Sequence, residues 1–216
     1  MPLPRSMLFA AVTFAMLAFV VTVGERRPIE PTSGAYAPSV RAFVALAAFG
    51  MCLAWPLWRI AMPPAGWSAA RVALDALTLV IAFQAAFWPL HLVSGRTLGD
   101  AAALDALVCG WAIACGGAVA LSAHRRLAPM GAGVVLIAVP CLGVGLDACD
   151  APSPWPALAG PFVGILEGSP AQPPTGAPSF SAIAAWPWAI AAATWAAAVW
   201  PRRAAHAGLA GASSIR

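Results

Sequence analysis

The chain has 216 residues, of which 61% are hydrophobic and only 9% are charged, and its mean hydropathy is +0.81. A water-soluble domain carries roughly a quarter charged residues, so the composition excludes one and indicates an integral membrane protein. The formal charge of +4 comes from arginines that stand singly or in pairs, without a basic stripe, which argues against nucleic acid as a partner.

Six apolar runs predict the secondary structure, because a membrane-spanning helix needs about 20 mostly apolar residues. The spans are predicted at about 7–23, 40–58, 72–93, 101–122, 129–146 and 182–200. We therefore expect an all-α, polytopic helix bundle in which residues 1–203 form a single transmembrane domain and residues 204–216 form a tail. A cleaved signal peptide within residues 1–24 is the alternative to a first span that is retained, and we expect the retained span.

The distribution of arginine predicts the orientation of the spans, because short loops rich in Arg favour the cytoplasmic side. The second loop, the fourth loop and the tail share this property, through Arg59, Arg71, Arg125, Arg126, Arg202, Arg203 and Arg216. The loop 147–181 contains acidic residues and no arginine, which places it outside. The first loop disagrees, since it carries Arg26, Arg27 and Arg41. Most of these segments therefore agree on an orientation in which both termini are cytoplasmic.

The outer loop 147–181 is rich in proline, yet it also contains large apolar side chains. Irregular backbone is not tolerated facing lipid, so we expect this loop to dip into the outer interface or to pack against another subunit. The segment 155–167 is the candidate for a short helix there. Trp155 and Phe162 are its candidate partner contacts.

Two carboxylates fall inside predicted spans, where an ionised group is costly. Asp75 and Asp105 each occur in the string Ala-Leu-Asp-Ala-Leu, near the start of the third and fourth spans. We expect each to reach its interface or to cap its helix start, and a proton relay is the alternative. Gln84, deeper in the third span, is expected to hydrogen-bond a neighbouring helix.

No cofactor or metal is predicted from the histidines and cysteines. His91 and His124 end different spans on opposite sides of the membrane, and His206 lies in the tail. The five cysteines form no Cys-x-x-Cys pair, so free buried thiols are expected, with a disulfide between Cys141 and Cys149 as the alternative. Signature motifs for catalysis or phosphate binding do not occur in the sequence, which therefore does not indicate an enzyme.

The predicted fourth span is rich in small residues that permit close helix contacts, namely Gly110, Gly116, Gly117, Ala118 and Ala120. Most tryptophans, including Trp186 and Trp188, lie near predicted span ends, as interfacial anchors do. Trp111 and Trp195 lie nearer mid-helix, and we expect them to pack inside the bundle. The fourth span is therefore predicted to pack inside the bundle or against a partner.

The run 87–100, Phe-Trp-Pro-Leu-His-Leu-Val-Ser-Gly-Arg-Thr-Leu-Gly-Asp, and the helix end 120–126, Ala-Leu-Ser-Ala-His-Arg-Arg, resemble the middle of permease subunits of the ABC-2 type exporter family. The resemblance covers about residues 40–203. It implies six helices, cytoplasmic termini and an apolar outer excursion before the last helix. It also implies that loop 59–71 touches a nucleotide-binding subunit, with Arg59 and Arg71 as candidate contacts, although this loop lacks the acid that the family commonly has.

Two functions follow as hypotheses. The first is the membrane-spanning permease subunit of an ABC-type export complex, energised by a separate ATPase because this chain contains no phosphate-binding loop. The alternative is a non-catalytic accessory subunit of a larger respiratory or photosynthetic membrane complex. All 12 basic residues are Arg, and neither Lys nor Asn occurs, which is typical of a GC-rich coding genome. We therefore expect a multi-pass protein of a bacterial inner membrane, with lipid and other membrane subunits as partners.

Overall fold

The computed structural model describes residues 5–24, 36–63, 68–94, 97–122, 131, 133–139, 162 and 184–199, and these residues form helices and short connections without a strand. In chain order the helices are α1 (Arg5–Phe19), α2 (Ala37–Phe49), α3 (Trp55–Ala61), α4 (Ala69–Ser94), α5 (Leu98–Ser122), α6 (133–139) and α7 (Ala184–Val199). The all-α prediction is confirmed for this part of the chain.

Four helical segments are long and apolar enough to cross a membrane: Ser6–Gly24, Pro38–Ala61, Ala69–Leu90 and Leu98–Ser122. At about 1.5 Å per residue, a segment of some 20 residues matches the roughly 30 Å of hydrocarbon in a bilayer. The four segments agree with the first four predicted spans to within a few residues. They indicate a multi-pass membrane protein. The fifth predicted span lies largely outside the described residues, and α7, within the sixth, is shorter than these four.

The second span is one helix with a change of hydrogen-bonding pattern in its middle. A π-helical turn, Gly50–Ala54, joins α2 to α3, and the N–H of Trp55 donates to the carbonyl of Gly50, five residues earlier. Pro56 follows at once and has no N–H to donate to Cys52, four residues before it. The wider turn absorbs this loss, as π-bulges in helices do. A second π-helical turn, Val20–Gly24, continues α1.

Helix α5 forms the buried centre of the bundle. The buried share of its span is 67%, whereas that of the first span is 22%. Phe43 of α2 stacks on Phe83 of α4 with ring centroids 6.2 Å apart, and Phe83 stacks on Phe87 at 5.2 Å. The second and third spans therefore share an aromatic contact. The large apolar side chains of α1, such as Phe9, remain exposed, as expected of a helix at the rim of a bundle in lipid.

Two tryptophans of α7 dock on two glycines of α5. The indole N–H of Trp188 donates to the Ala106 carbonyl at 3.0 Å, and that of Trp195 donates to the Ile113 carbonyl at 2.9 Å. Each accepting carbonyl lies four residues before a glycine, Gly110 or Gly117. A Cβ on Gly110 would lie 3.0 Å from the Trp188 Nε1, and one on Gly117 would lie 2.8 Å from the Thr194 Cβ. The small residues of α5 thus serve helix packing, as predicted.

Candidate functional site

The described spans contain two polar clusters that link neighbouring helices. The first is an ion pair between the Arg59 guanidinium on α3 and the Asp75 carboxylate on α4. Both side chains are sequestered, with exposures of 12% for Arg59 and 2% for Asp75. The Arg59 Cζ also lies 5.4 Å from the ring centre of Trp58, within the range of a cation–π contact. The pair ties α3 to α4 across the loop that connects them.

Asp75 is paired with Arg59 on the neighbouring helix, which corrects the expectation that it caps the start of its own helix. It is the seventh residue of α4 and lies wholly inside the bundle. Mutual neutralisation with Arg59 explains how both charges are tolerated, because a lone buried charge costs far more than a pair. Three nearby polar atoms have no partner among the described residues, namely Asp75 Oδ1, Arg59 Nε and Trp55 Nε1.

The second cluster surrounds Asp105 of α5. The Gln84 amide on α4 donates to both carboxylate oxygens at 2.9 Å, and the Cys109 thiol donates to Oδ1 at 3.4 Å. Trp88 in turn donates its indole N–H to the Gln84 carbonyl oxygen. The prediction that Gln84 hydrogen-bonds a neighbouring helix is confirmed. Asp105 is the eighth residue of α5 and is held by the neighbouring helix, which corrects the expectation that it caps the helix start.

The two clusters differ in charge. Asp75 has an arginine partner, whereas within the described part of the chain Asp105 accepts hydrogen bonds from a neutral amide and a neutral thiol. A partly buried carboxylate within a span, held by neutral donors, is the kind of group that takes part in the passage of protons or other cations. Among the described residues no group of three or more His, Cys, Asp or Glu side chains has the arrangement of a metal site.

Two cysteines lie at one cavity between spans. Cys52, in the π-helical turn, and Cys115, on α5, both line an apolar cavity of about 90 Å³. Leu136 of α6 and Ile190 of α7 complete its far wall. Cys52, Cys109 and Cys115 are all free and buried, which confirms the prediction for these three cysteines. Cys141 and Cys149 lie outside the described residues.

The residues predicted to contact partners are dispersed. Arg59 is bound to Asp75, whereas Arg71 is an exposed residue in the first turn of α4. Phe162 is partly buried against the core of the bundle. Trp155 lies outside the described residues, as does the rest of the proposed short helix 155–167 apart from Phe162. Their roles as partner contacts stay predictions.

The Arg59–Asp75 pair is absent from the sequence-based predictions, which treat the two residues separately. A signal for it exists, because Arg59 and Asp75 lie on the two helices that flank the same short connection. The facing helices of an antiparallel hairpin bring such positions within reach of each other. Gln84 and Asp105 likewise lie on the two helices that flank the connection between α4 and α5.

Comparisons with protein-family profiles, with curated proteins and with solved structures find no match to this chain.

Proposed function

We propose that this protein is the membrane-spanning permease subunit of an ABC-type export complex that is energised by a separate ATPase subunit. The observation that carries the proposal is the inter-span cluster of Gln84, Asp105 and Cys109, which places a carboxylate with neutral donors inside a bundle of apolar helices. Intramembrane polar groups of this kind mark the pathways of transported solutes. The sequence contains no phosphate-binding loop, so an ATP-driven complex would need a second chain.

The proposed topology has six spans with both termini in the cytoplasm of a bacterial cell. Trp188 and Trp195 of α7 meet Ala106 and Ile113 of α5 in the same order along the chain, so these two helices run in the same direction. Two spans of the same direction require an odd number of crossings between them. The predicted span 129–146, whose residues 133–139 are helical, supplies that crossing.

The proposed contact with the ATPase is the hairpin between α3 and α4. The ion pair of Arg59 with Asp75 fixes the two helices where they leave the membrane, and Arg71 lies exposed beside the connection. A rigid hairpin can transmit a displacement of its loop to α4 and from there to Gln84. We expect the positively charged side chain of Arg71 to contact an acidic groove on the ATPase subunit.

The test is purification of the full-length, tagged protein from its own membranes in a mild detergent. We expect an ATPase to accompany it and the eluate to hydrolyse ATP. Arg71→Glu should reduce the recovered ATPase activity by about fivefold or more, because reversing one charge at an interface costs on the order of 1 kcal/mol or more. Arg41→Glu is the matched control, since Arg41 is also exposed but lies at the opposite end of the second span.

Two results would contradict the proposal. One is a purified complex without ATP hydrolysis that contains cytochromes or iron–sulfur proteins, which would instead identify the chain as an accessory subunit. The other is equal loss of the ATPase in both variants, which would remove the α3–α4 hairpin as the contact.

A further inference from the structure

The hydrogen bonds around Asp105 all point towards its carboxylate. The Gln84 amide nitrogen donates to both carboxylate oxygens at 2.9 Å, and the Cys109 thiol donates to Oδ1 at 3.4 Å. The Gln84 carbonyl oxygen accepts the indole N–H of Trp88, so the amide nitrogen is the end of Gln84 that faces Asp105. An ionised carboxylate only accepts hydrogen bonds, whereas a protonated one also donates. This set of donors therefore fits the ionised carboxylate.

The cluster of Gln84, Trp88, Asp105 and Cys109 carries a single negative charge, because an amide, an indole and a thiol are neutral. Such a charge is costly within an apolar span, and the groups that bear one mark the pathways of ions and solutes. A cation beside the carboxylate would offset this cost, as the partner in a buried ion pair does.

The cluster lies where α4 packs on α5, and it is accessible from the surface of the bundle. Gln84, Trp88 and Asp105 are partly exposed. Ala85 follows Gln84 along α4, and Ala102 lies one turn before Asp105 on the same face of α5. Both alanines are exposed, and their small side chains leave room beside the carboxylate. Within a span, this α4–α5 groove opens towards the acyl chains of the membrane.

We propose that Asp105 is the counter-ion for a lipophilic organic cation bound in the α4–α5 groove, and that such cations are the class of solute that the complex exports. A hard metal ion takes about six or more oxygen ligands, whereas the cluster offers it one carboxylate. An organic cation with apolar substituents needs only a counter-ion and apolar contacts. The two alanines and the Trp88 ring supply such contacts, and an indole also attracts cations. This inference rests on the proposed function, for which it names the substrate class.

Binding of a probe cation to the purified full-length protein tests the proposal. Equilibrium dialysis in detergent, with protein-free micelles as the blank, compares tetraphenylphosphonium with tetraphenylborate, an anion of similar size and shape. We expect one tetraphenylphosphonium per chain, bound about tenfold or more tightly than tetraphenylborate, because the carboxylate attracts the first ion and repels the second. Asp105→Asn should weaken binding of the cation by about tenfold or more, and Asp105→Glu should retain most of it.

Two matched variants control for the position of the site. Asp100→Asn removes a carboxylate at the start of α5, where it accepts a hydrogen bond from the Thr97 hydroxyl at 2.7 Å, and it should leave the affinity unchanged. Ala102→Phe fills the α4–α5 groove and should weaken binding of the cation. Ala196→Phe, at an exposed alanine of α7, should not.

The proposal is overturned by equal affinity for the two ions, by undiminished cation binding in Asp105→Asn, or by equal effects of the two phenylalanines. The affinity is measured on this chain alone, so it is independent of the recovery of an ATPase. An ATPase that accompanies a protein unable to bind the cation would remove the substrate class and leave the exporter. Cation binding by a complex without ATP hydrolysis would contradict the exporter and leave the cation site.

Discussion

At the scale of single residues, neighbouring spans are joined by polar side chains that lie on either side of a connecting loop. Arg59 meets Asp75 across one hairpin, and Gln84 meets Asp105 across the next. The sequence is sufficient to flag the carboxylates as unusual, because a charge inside an apolar run stands out. It does not reveal their partners, because the rotation of each helix about its axis depends on packing that hydropathy does not encode.

Removing one member of the buried ion pair should be far more harmful than removing both. Asp75→Leu leaves the Arg59 charge buried and unpaired, and the expected loss is about 3–5 kcal/mol of stability. The double variant Arg59→Met with Asp75→Leu should recover most of it, because two apolar side chains replace two charges. Thermal unfolding of the purified variants in one detergent measures the difference. A double variant as unstable as Asp75→Leu would show that the pair is not the source of the effect.

At the scale of helices, proline and glycine determine how the elements meet. Pro56 accounts for the π-helical turn that displaces Cys52, and the glycines of α5 account for the close approach of α7. The sequence predicts that α5 packs closely, and it also predicts the packing role of Trp195, which is confirmed. The sequence predicts Trp188 as an interfacial anchor, and in the structure its indole N–H also donates to a backbone carbonyl of α5. A single sequence does not give that pairing, because any helix with small residues could have received the indoles.

A methyl group at Gly117 should separate α5 from α7. Its Cβ would lie 2.8 Å from the Thr194 Cβ, which cannot swing away because it is attached directly to the backbone. We expect Gly117→Ala to cost about 1–3 kcal/mol, the range for overpacked cores. Gly131→Ala is the control, since a Cβ at Gly131 meets nothing within 4 Å. Thermal unfolding of the two variants should separate them, and equal stability would argue against this helix contact.

Oxidative cross-linking tests the contact between the second and fourth spans. Treating membranes with copper phenanthroline, an oxidant that enters lipid, should join Cys52 to Cys115, because both thiols line the same apolar cavity. Peptide mass spectrometry would detect the linked pair, and Cys115→Ser should abolish it. A product that links Cys52 to Cys109 in preference would indicate that α5 is rotated relative to the arrangement described.

At the scale of the whole molecule, hydropathy predicts most of the architecture. The four membrane-length helices coincide with predicted spans because the cost of burying a charge or an unpaired peptide group in lipid leaves few alternatives. The function is less accessible from the sequence, because a permease and an accessory subunit use the same apolar helices. The difference between them lies in partners, and partner surfaces in membrane proteins have nearly the composition of lipid-facing ones.

The central proposal is a bundle of six membrane crossings that presents the α3–α4 hairpin and both termini to the cytoplasm. Paired reporter fusions after residues 127 and 165 test it most directly, with alkaline phosphatase active outside and green fluorescent protein fluorescent inside. The proposed topology predicts fluorescence without phosphatase activity at 127 and the reverse at 165, because in it the chain crosses the membrane once between α5 and α7. Finding both positions on the same side would contradict it.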